Sequence, residues 1–340
     1  GLVPHVIKDT NDNWTGWIPW EDMPHHVNPD RGWLGTCNHM TVGRDYSYHF
    51  TTHASPSYRY RRLIELMDAP GKKSVDDHWE FQRDAVNLMA KKIAPIMRRV
   101  LLAHEDTKKM GQLLADWDFV ESTEKAAPTV FQAVYREFAL LVYADELGDD
   151  LARAMLNNWY FWQERLQKMV LENNSPWFDN LSTSDKKETR DDLFHQAALK
   201  TAKNIASALG ADPAKWLWGN LHYIRHEHPF TRIPGLGRSW KTEKIPVGGD
   251  GTTVNQAEVT PHFPPDPVEI IASCRLIMDV GEWDNSLAVL PGGQSGNPSS
   301  RHYEDGLRDW CDGRYHPLLF SRSRIEAATE KILLLTPDGG

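Results

Sequence analysis

Leu290-Pro291-Gly292-Gly293-Gln294-Ser295-Gly296-Asn297-Pro298, followed after three residues by His302-Tyr303-Glu304-Asp305, is the stretch on which the reading of this chain turns. Paired glycines behind a proline exclude a helix and dictate a loop. The apolar run Leu287–Leu290 that feeds the loop has the length of a buried strand, and Ile270–Asp279 upstream reads the same way.

Outward from there the character changes twice. Back to Trp216 the chain stays rich in Gly and Pro, with short apolar runs. Before that, Gly210 and Pro213 form a helix stop, and residues 74–210 read as helical. Ser74-Val75-Asp76-Asp77 is a helix start, after which Phe81, Val86, Met89, Ile93, Ile96 and Val100 recur near helical spacing. Thr129–Leu147 and Leu151–Glu172 are strongly apolar and amphipathic, and Asp185–Leu209 is a more polar helix. Residues 1–60, rich in Trp, Pro, Gly, His and Asn, read as strands and loops, and a last helix is expected at Ser323–Glu330. The plan is strand and loop over 1–73, a helical block over 74–210, and strand and loop with a C-terminal helix over 211–340.

Composition narrows the function classes. The 340 residues are 40% hydrophobic and 25% charged, which is ordinary for a globular protein of one large domain or two. Lys and Arg number 38 against 47 Asp and Glu, a net charge of -9 with no general pull toward nucleic acid or an anionic membrane. No apolar run approaches the roughly 18 residues of a membrane span. Cys37, Cys274 and Cys311 form no CxxC pair, so neither a zinc knuckle nor a disulfide scaffold is indicated. That count suits a cytosolic protein, or a periplasmic one that does not rely on disulfides. Fourteen Trp suggest large packing surfaces or an aromatic-walled site. The opening Gly1-Leu2-Val3 has no initiator Met and no signal core, and reads as a processed chain or an expressed fragment.

Three apparent motifs favour dull readings. His222, His226 and His228 invite a metal, but Glu227 sits between two His and Pro229 closes the segment, so structural or loop histidines are the expectation. His25-His26 fares no better. Gly248-Gly249-Asp250-Gly251-Thr252-Thr253-Val254-Asn255 lacks the Lys-Ser/Thr ending of a phosphate loop, and no GxSxG elbow marks a nucleophilic serine.

What stands out is an ordered constellation. It runs Gly16-Trp17-Ile18-Pro19, Met23-Pro24, Asn28-Pro29-Asp30-Arg31-Gly32-Trp33, Thr36-Cys37-Asn38-His39, Tyr58 to Leu66, Ala115 to Asp118, and Trp216 to His222. The Gly249–Asn255 and Leu290–Pro298 loops follow, then His302-Tyr303 and Trp310. From about Gly16 to about Glu330 this set resembles the penicillin acylase (penicillin amidase) family of N-terminal-nucleophile hydrolases, which includes penicillin, cephalosporin and acyl-homoserine-lactone acylases.

The resemblance implies a precursor cut autocatalytically into a short α chain and a long β chain. The β chain then starts with a Ser that attacks a linear amide, with its own α-amine as base. Residues 1–340 are thus expected to be the C-terminal part of a β chain, without the nucleophile and inactive alone. Expected partners are the α chain, the N-terminal part of the β chain and a small-molecule amide, with self-association of the fragment and no nucleic acid or membrane. Asn38 matches the family's oxyanion-hole Asn, whose NH2 meets developing negative charge. Arg59 matches an Arg that supports the site, and a plain surface pair for it stands beside that role. No cofactor is expected. Calcium, held by carboxylates in some relatives, is not expected of this chain alone, because Tyr48 stands at the relevant Asp position with Asp45 nearby. The implied fold class is α+β, part of a four-layer α/β/β/α sandwich with core strands from 1–60 and 245–300, the three segments forming one intertwined unit. The family suggests a bacterial periplasmic or secreted setting. The rival to an acylase is a catalytically silent relative or an accessory ligand-binding subunit. A metal-dependent hydrolase using the 222–228 histidines is a third option.

Overall fold

A computed structural model describes residues 4–14, 16–158, 162–235 and 240–337. Among these the helices are α1 (Tyr58–Met67), α2 (Val75–Gln82), α3 (Leu88–Leu102), α4 (Lys108–Leu113) and α5 (Ala127–Leu147). They continue as α6 (Asp149–Leu156), α7 (Gln163–Glu172), α8 (Arg190–Leu209), α9 (Asp305–Asp312) and α10 (Arg322–Ala328). The strands are β1 (Tyr223–Ile224), β2 (Ile245–Pro246), β3 (Arg275–Ile277), β4 (Leu287–Val289) and β5 (His316–Pro317). Two compact units emerge, one of Gly1–Pro70, Asp84–Ile224 and Pro246–Ile270, the other of Gly71–Arg83, Arg225–Ile245 and Ile271–Gly340.

The first unit is built round α5. That helix is apolar on nearly all sides, so it sits in the middle rather than at the surface. Its Phe131, Val134, Tyr135, Phe138 and Val142 are buried, and Phe138 stacks on Phe194 of α8 with ring centroids 3.9 Å apart. Each such side chain contributes on the order of 1.5–3 kcal/mol of transfer free energy. The helical run expected from Ser74 through Val100 is broken. Ser74 does cap α2 through a capping box with Asp77, but α2 stops at Gln82 and Asn87 starts α3 afresh, its Oδ1 accepting from the Ala90 N–H at 2.7 Å. Between them Ala85 turns outward to accept from the Glu121 N–H at 2.9 Å. The expected Leu151–Glu172 helix likewise divides into α6 and α7. Among the described residues no strand forms before Tyr223. Pro19, Pro24 and Pro29 lack backbone donors, and the described residues among 4–57 run as bends and 3-10 turns instead of the anticipated strands.

In the second unit β4 pairs antiparallel with β3 and β5, Ala288 lying opposite Leu276 on one side and His316 on the other. Beyond β4 the stretch quoted at the outset doubles back. The Gly293 N–H donates to Tyr303 O at 3.1 Å and the Ser295 N–H to His302 O at 3.0 Å. A Cβ on residue 293 would fall on the His302 carbonyl, so only glycine allows the approach. The spacing of Pro-Gly-Gly-Gln-Ser-Gly to His-Tyr is thus the spacing of a backbone zipper. In α9, buried Trp310 has the Arg275 guanidinium stacked over its ring at 3.7 Å.

Candidate active site

Residues 31–39 are laid along α1. Arg31 donates to the Tyr60 hydroxyl at 2.7 Å and sits over the Trp33 ring, while Trp33 Nε1 donates to Asp68 at 2.8 Å. His39 stacks on Tyr60 with centroids 3.7 Å apart. These contacts carry the chain to Asn38, which takes the left-handed conformation at φ 61°, a region that Asn tolerates better than most residues. The Ser55 N–H pins it there by donating to Asn38 O at 2.7 Å.

Arg59, on the first turn of α1, meets Asn38 directly: its Nη2 donates to Asn38 Oδ1 at 2.9 Å and to Ser55 Oγ at 3.1 Å. Nη1 donates to Gln256 Oε1 at 3.1 Å. A guanidinium only donates, so the amide atom facing it must be the carbonyl oxygen. The Asn38 NH2 is therefore turned away from Arg59, and Asn38 as a whole is exposed. Arg59 also makes the surroundings electropositive. Burial, then the Arg31 and Arg59 charges, holds His39 below the usual imidazole range, while burial pushes the Cys37 thiol up against the opposing pull of Arg59.

The first turn of α1 has its own anchor. Glu164 of α7 accepts from the Ser57 N–H at 3.0 Å and from Arg61 Nη2 at 2.9 Å, placing a carboxylate where the helix has free donors and partial positive charge. Arg62 clamps Asp84 through two bonds of 2.9 and 2.7 Å. The Asp84 carbonyl in turn accepts from Asn255 N–H at 2.8 Å, joining α1 to the glycine loop that ends beside Gln256.

That loop is not a phosphate cradle. Buried Asp250 accepts from Thr252 N–H at 2.6 Å and Thr252 Oγ1 at 2.8 Å, and Gly249, at φ 85°, packs against the Asn255 carbonyl. Asp250 Oδ2 also accepts from Asn87 Nδ2 at 2.9 Å and Gln132 Nε2 at 2.7 Å, the same amides that donate to Glu121. Burial, then the neighbouring Asp250 charge, drives the Glu121 carboxyl well above the ordinary range. The Pro291–Gly296 loop belongs to the other unit.

The remaining candidates scatter. His222 is buried, stacks on Trp218 at 4.5 Å and bonds Val247 O through Nδ1 at 2.7 Å, and burial lowers it to about 4, so it is a neutral core residue. His226 Nε2 bonds Pro291 O at 2.7 Å, His228 stacks near Trp240, and His25 bonds Met23 O. Tyr48 donates its hydroxyl to Asp22 at 2.7 Å, with Asp45 lining the same surface depression. Among the described residues no three His, Cys, Asp or Glu side chains converge to hold a metal. Gln256, Ser55 and Glu164 are the supporting residues that sequence reasoning missed; Gln256 alone had a signal, as the neighbour of the Gly249–Asn255 motif.

The chain is similar to known proteins over nearly its whole length. A family model described as penicillin amidase matches residues 1–327. An acyl-homoserine lactone acylase QuiP of Pseudomonas putida is 28% identical over 342 residues, 94% of this chain and 41% of the relative. A penicillin acylase 2 proenzyme of Pseudomonas sp. is 28% identical over 343 residues, 98% of this chain and 42% of the relative. The chain therefore spans about two-fifths of the length of these relatives. A solved thermostable penicillin G acylase from Alcaligenes faecalis superposes with a TM-score of 0.57 at 17% identity, covering 96% of this chain and 61% of that one, which gives the same mixed α+β fold. With the family's motifs in order from the N-terminal turns to α9, the chain belongs to the penicillin amidase family.

Proposed function

We propose that residues 1–340 are the C-terminal part of an acylase β chain and furnish its oxyanion donor. The carrying observation is the orientation of Asn38: Arg59 occupies Oδ1, leaving the NH2 as a donor turned away from Arg59 in an electropositive turn. In this reading the nucleophile is an N-terminal Ser outside residues 1–340. Its hydroxyl adds to the carbonyl of a linear amide as the α-amine takes the proton, and the oxyanion accepts from Asn38 Nδ2. Collapse returns the proton to the leaving amine and leaves an acyl-enzyme for water to cleave. The relatives' names suggest an N-acyl group on a β-lactam, on homoserine lactone or on a similar small molecule.

The partners in this reading are an α chain and the earlier β segment. Trp14, Trp17 and Trp20 support a docking role for residues 4–57, being 93, 98 and 83% exposed, far more than an indole in a packed protein usually is. The test is amide hydrolysis by the product of the whole reading frame beside residues 1–340 alone. The whole product should turn over an acyl anilide and the 340-residue chain should not. Asn38→Ala in the whole product should lower kcat by about 10²–10³ with a smaller effect on KM. Turnover at the parent rate by that variant would remove Asn38 from the site, and a whole product that binds acyl amides without cleaving any would favour an accessory subunit.

A further inference from the structure

One face of α5 that the oxyanion site does not use opens into a cavity of about 160 Å³. Gln132, Ala133, Arg136, Glu137 and Leu140 form one wall, at helical spacing, and Lys200 and Asn204 of α8 form another. Trp218, Val259, Pro261, Phe263 and Pro265 close the space with apolar surface, and Arg153 and His262 stand with them in the lining. A single water needs about 10–15 Å³ of such space, so this cavity exceeds a structural water site.

The charges inside do not cancel. Lys200 is answered by Glu137 at 2.6 Å, and His262 by Asp266 at 3.3 Å. Arg136 has no such answer. Among the described residues no carboxylate lies within ion-pair distance of it, and its Nε is sealed from solvent without a hydrogen-bond partner. Asp250, Glu258 and Glu121 act on it only through space, and burial lowers it to about 10, which leaves it charged near neutrality. A guanidinium whose Nε is cut off from water with no acceptor is costly unless something accepts from it.

We infer that this cavity is a binding site for a small monocarboxylate with a compact apolar body, its carboxylate on the Arg136 guanidinium and its body against Trp218, Phe263 and Leu140. The planar fork of Arg136 suits a two-oxygen acceptor, and Asn204 offers a further amide within the lining. Two cations of the lining have no ion-pair partner among the described residues; Arg153 is exposed and Arg136 is the more enclosed. Arg136 therefore calls for a single negative charge, and the apolar wall of Trp218, Val259, Pro261, Phe263 and Pro265 favours a compact apolar body over a phosphate. The site owes nothing to Asn38 and stands whether or not the acylase reading does.

Calorimetry on the product of the whole reading frame tests it, with benzoate and hexanoate as probes and benzamide as the neutral control. Benzoate should bind with a Kd at least tenfold below that of benzamide. Arg136→Gln should raise the benzoate Kd at least tenfold, and Ala133→Leu, which fills the cavity and leaves every charge in place, should do likewise. Asn38→Ala should leave benzoate binding unchanged. Should Arg136→Gln fail to fold because the acids near it lose their counter-charge, Ala133→Leu and the benzamide control decide. No benzoate or hexanoate binding at millimolar concentration, equal binding of benzamide, indifference to Ala133→Leu, or loss of binding in Asn38→Ala would overturn the inference.

Discussion

A guanidinium against an amide oxygen settles which way Asn38 faces, and that makes Arg59 the residue to vary. Lys at position 59 keeps the charge but not the fork that reaches Asn38, Ser55 and Gln256 together. In the whole gene product, Arg59→Lys should lower kcat by roughly tenfold or more through a misaimed Asn38, and Gln256→Ala by less, since it removes a single bond to Arg59. Single-turnover and steady-state rates measured together check this; equal rates for Arg59→Lys and the parent would leave Arg59 as a plain structural pair. His222 makes a second prediction at this scale. Its folded value of about 4 lies below that of a free imidazole, so its contribution is complete above about pH 6.5 and is lost as pH falls toward 4. The displacement corresponds to about 3 kcal/mol. His222→Gln, which keeps a donor for Val247 O, should lose less stability between pH 7 and pH 4.5 than the parent, by urea titration at both pH values.

At the scale of elements, helix starts were the most legible feature of the sequence. Ser74 announces itself through the Asp three residues later that closes a capping box, whereas the helix expected from Asp185 starts only at Arg190, where Thr189 and Asp192 form the same box unread. The breaks at 83–87 and after Leu156 were hidden, since periodicity continues through them and only tertiary acceptors decide that the chain turns. In α8 the Asp192 carboxylate accepts from Thr189 Oγ1 at 2.6 Å and its backbone N–H at 2.9 Å, and together with Lys186 these bonds hold it near 2. Thr189→Ala should cost about 1 kcal/mol. A carboxylate depressed in this way stabilises above the ordinary Asp range and loses its effect as pH drops through about 2. The difference in Tm between parent and Thr189→Ala should therefore narrow from pH 5 to pH 2 in a calorimetric scan. The turn at Asn38 drew notice only through family motifs, because Asn-Pro, Gly-Trp and Asn-His pieces have many other uses, and its oxyanion role is the proposal made above.

For the whole molecule, composition gave the globular class and the resemblance gave the fold. The missing strands over residues 4–57 have a physical cause: a strand forms against a neighbour, and this prolyl segment finds none among the described residues. Its exposed Trp14, Trp17, Trp20 and Val27 lead to a last prediction. Residues 1–340 alone should self-associate, or bind the rest of the gene product tightly on co-expression, with rapid hydrogen exchange over residues 4–57 until they do. Light scattering with exchange mass spectrometry reads both. A strict monomer with slow exchange across that segment would show that it needs no cover.

The carboxylate of Glu164 holds the turn that carries Arg59, and Gln256 holds Arg59 itself, so the orientation of one amide depends on bonds that span 107 and 197 positions along the chain. Contacts of that separation form late, after local helices have already gathered, because long loops must close first. A precursor whose self-cleavage uses Asn38 would then be cut only in molecules that have finished folding. Maturation would serve as an inspection step, in which an ordinary surface acid on a distant helix takes part in certifying the product.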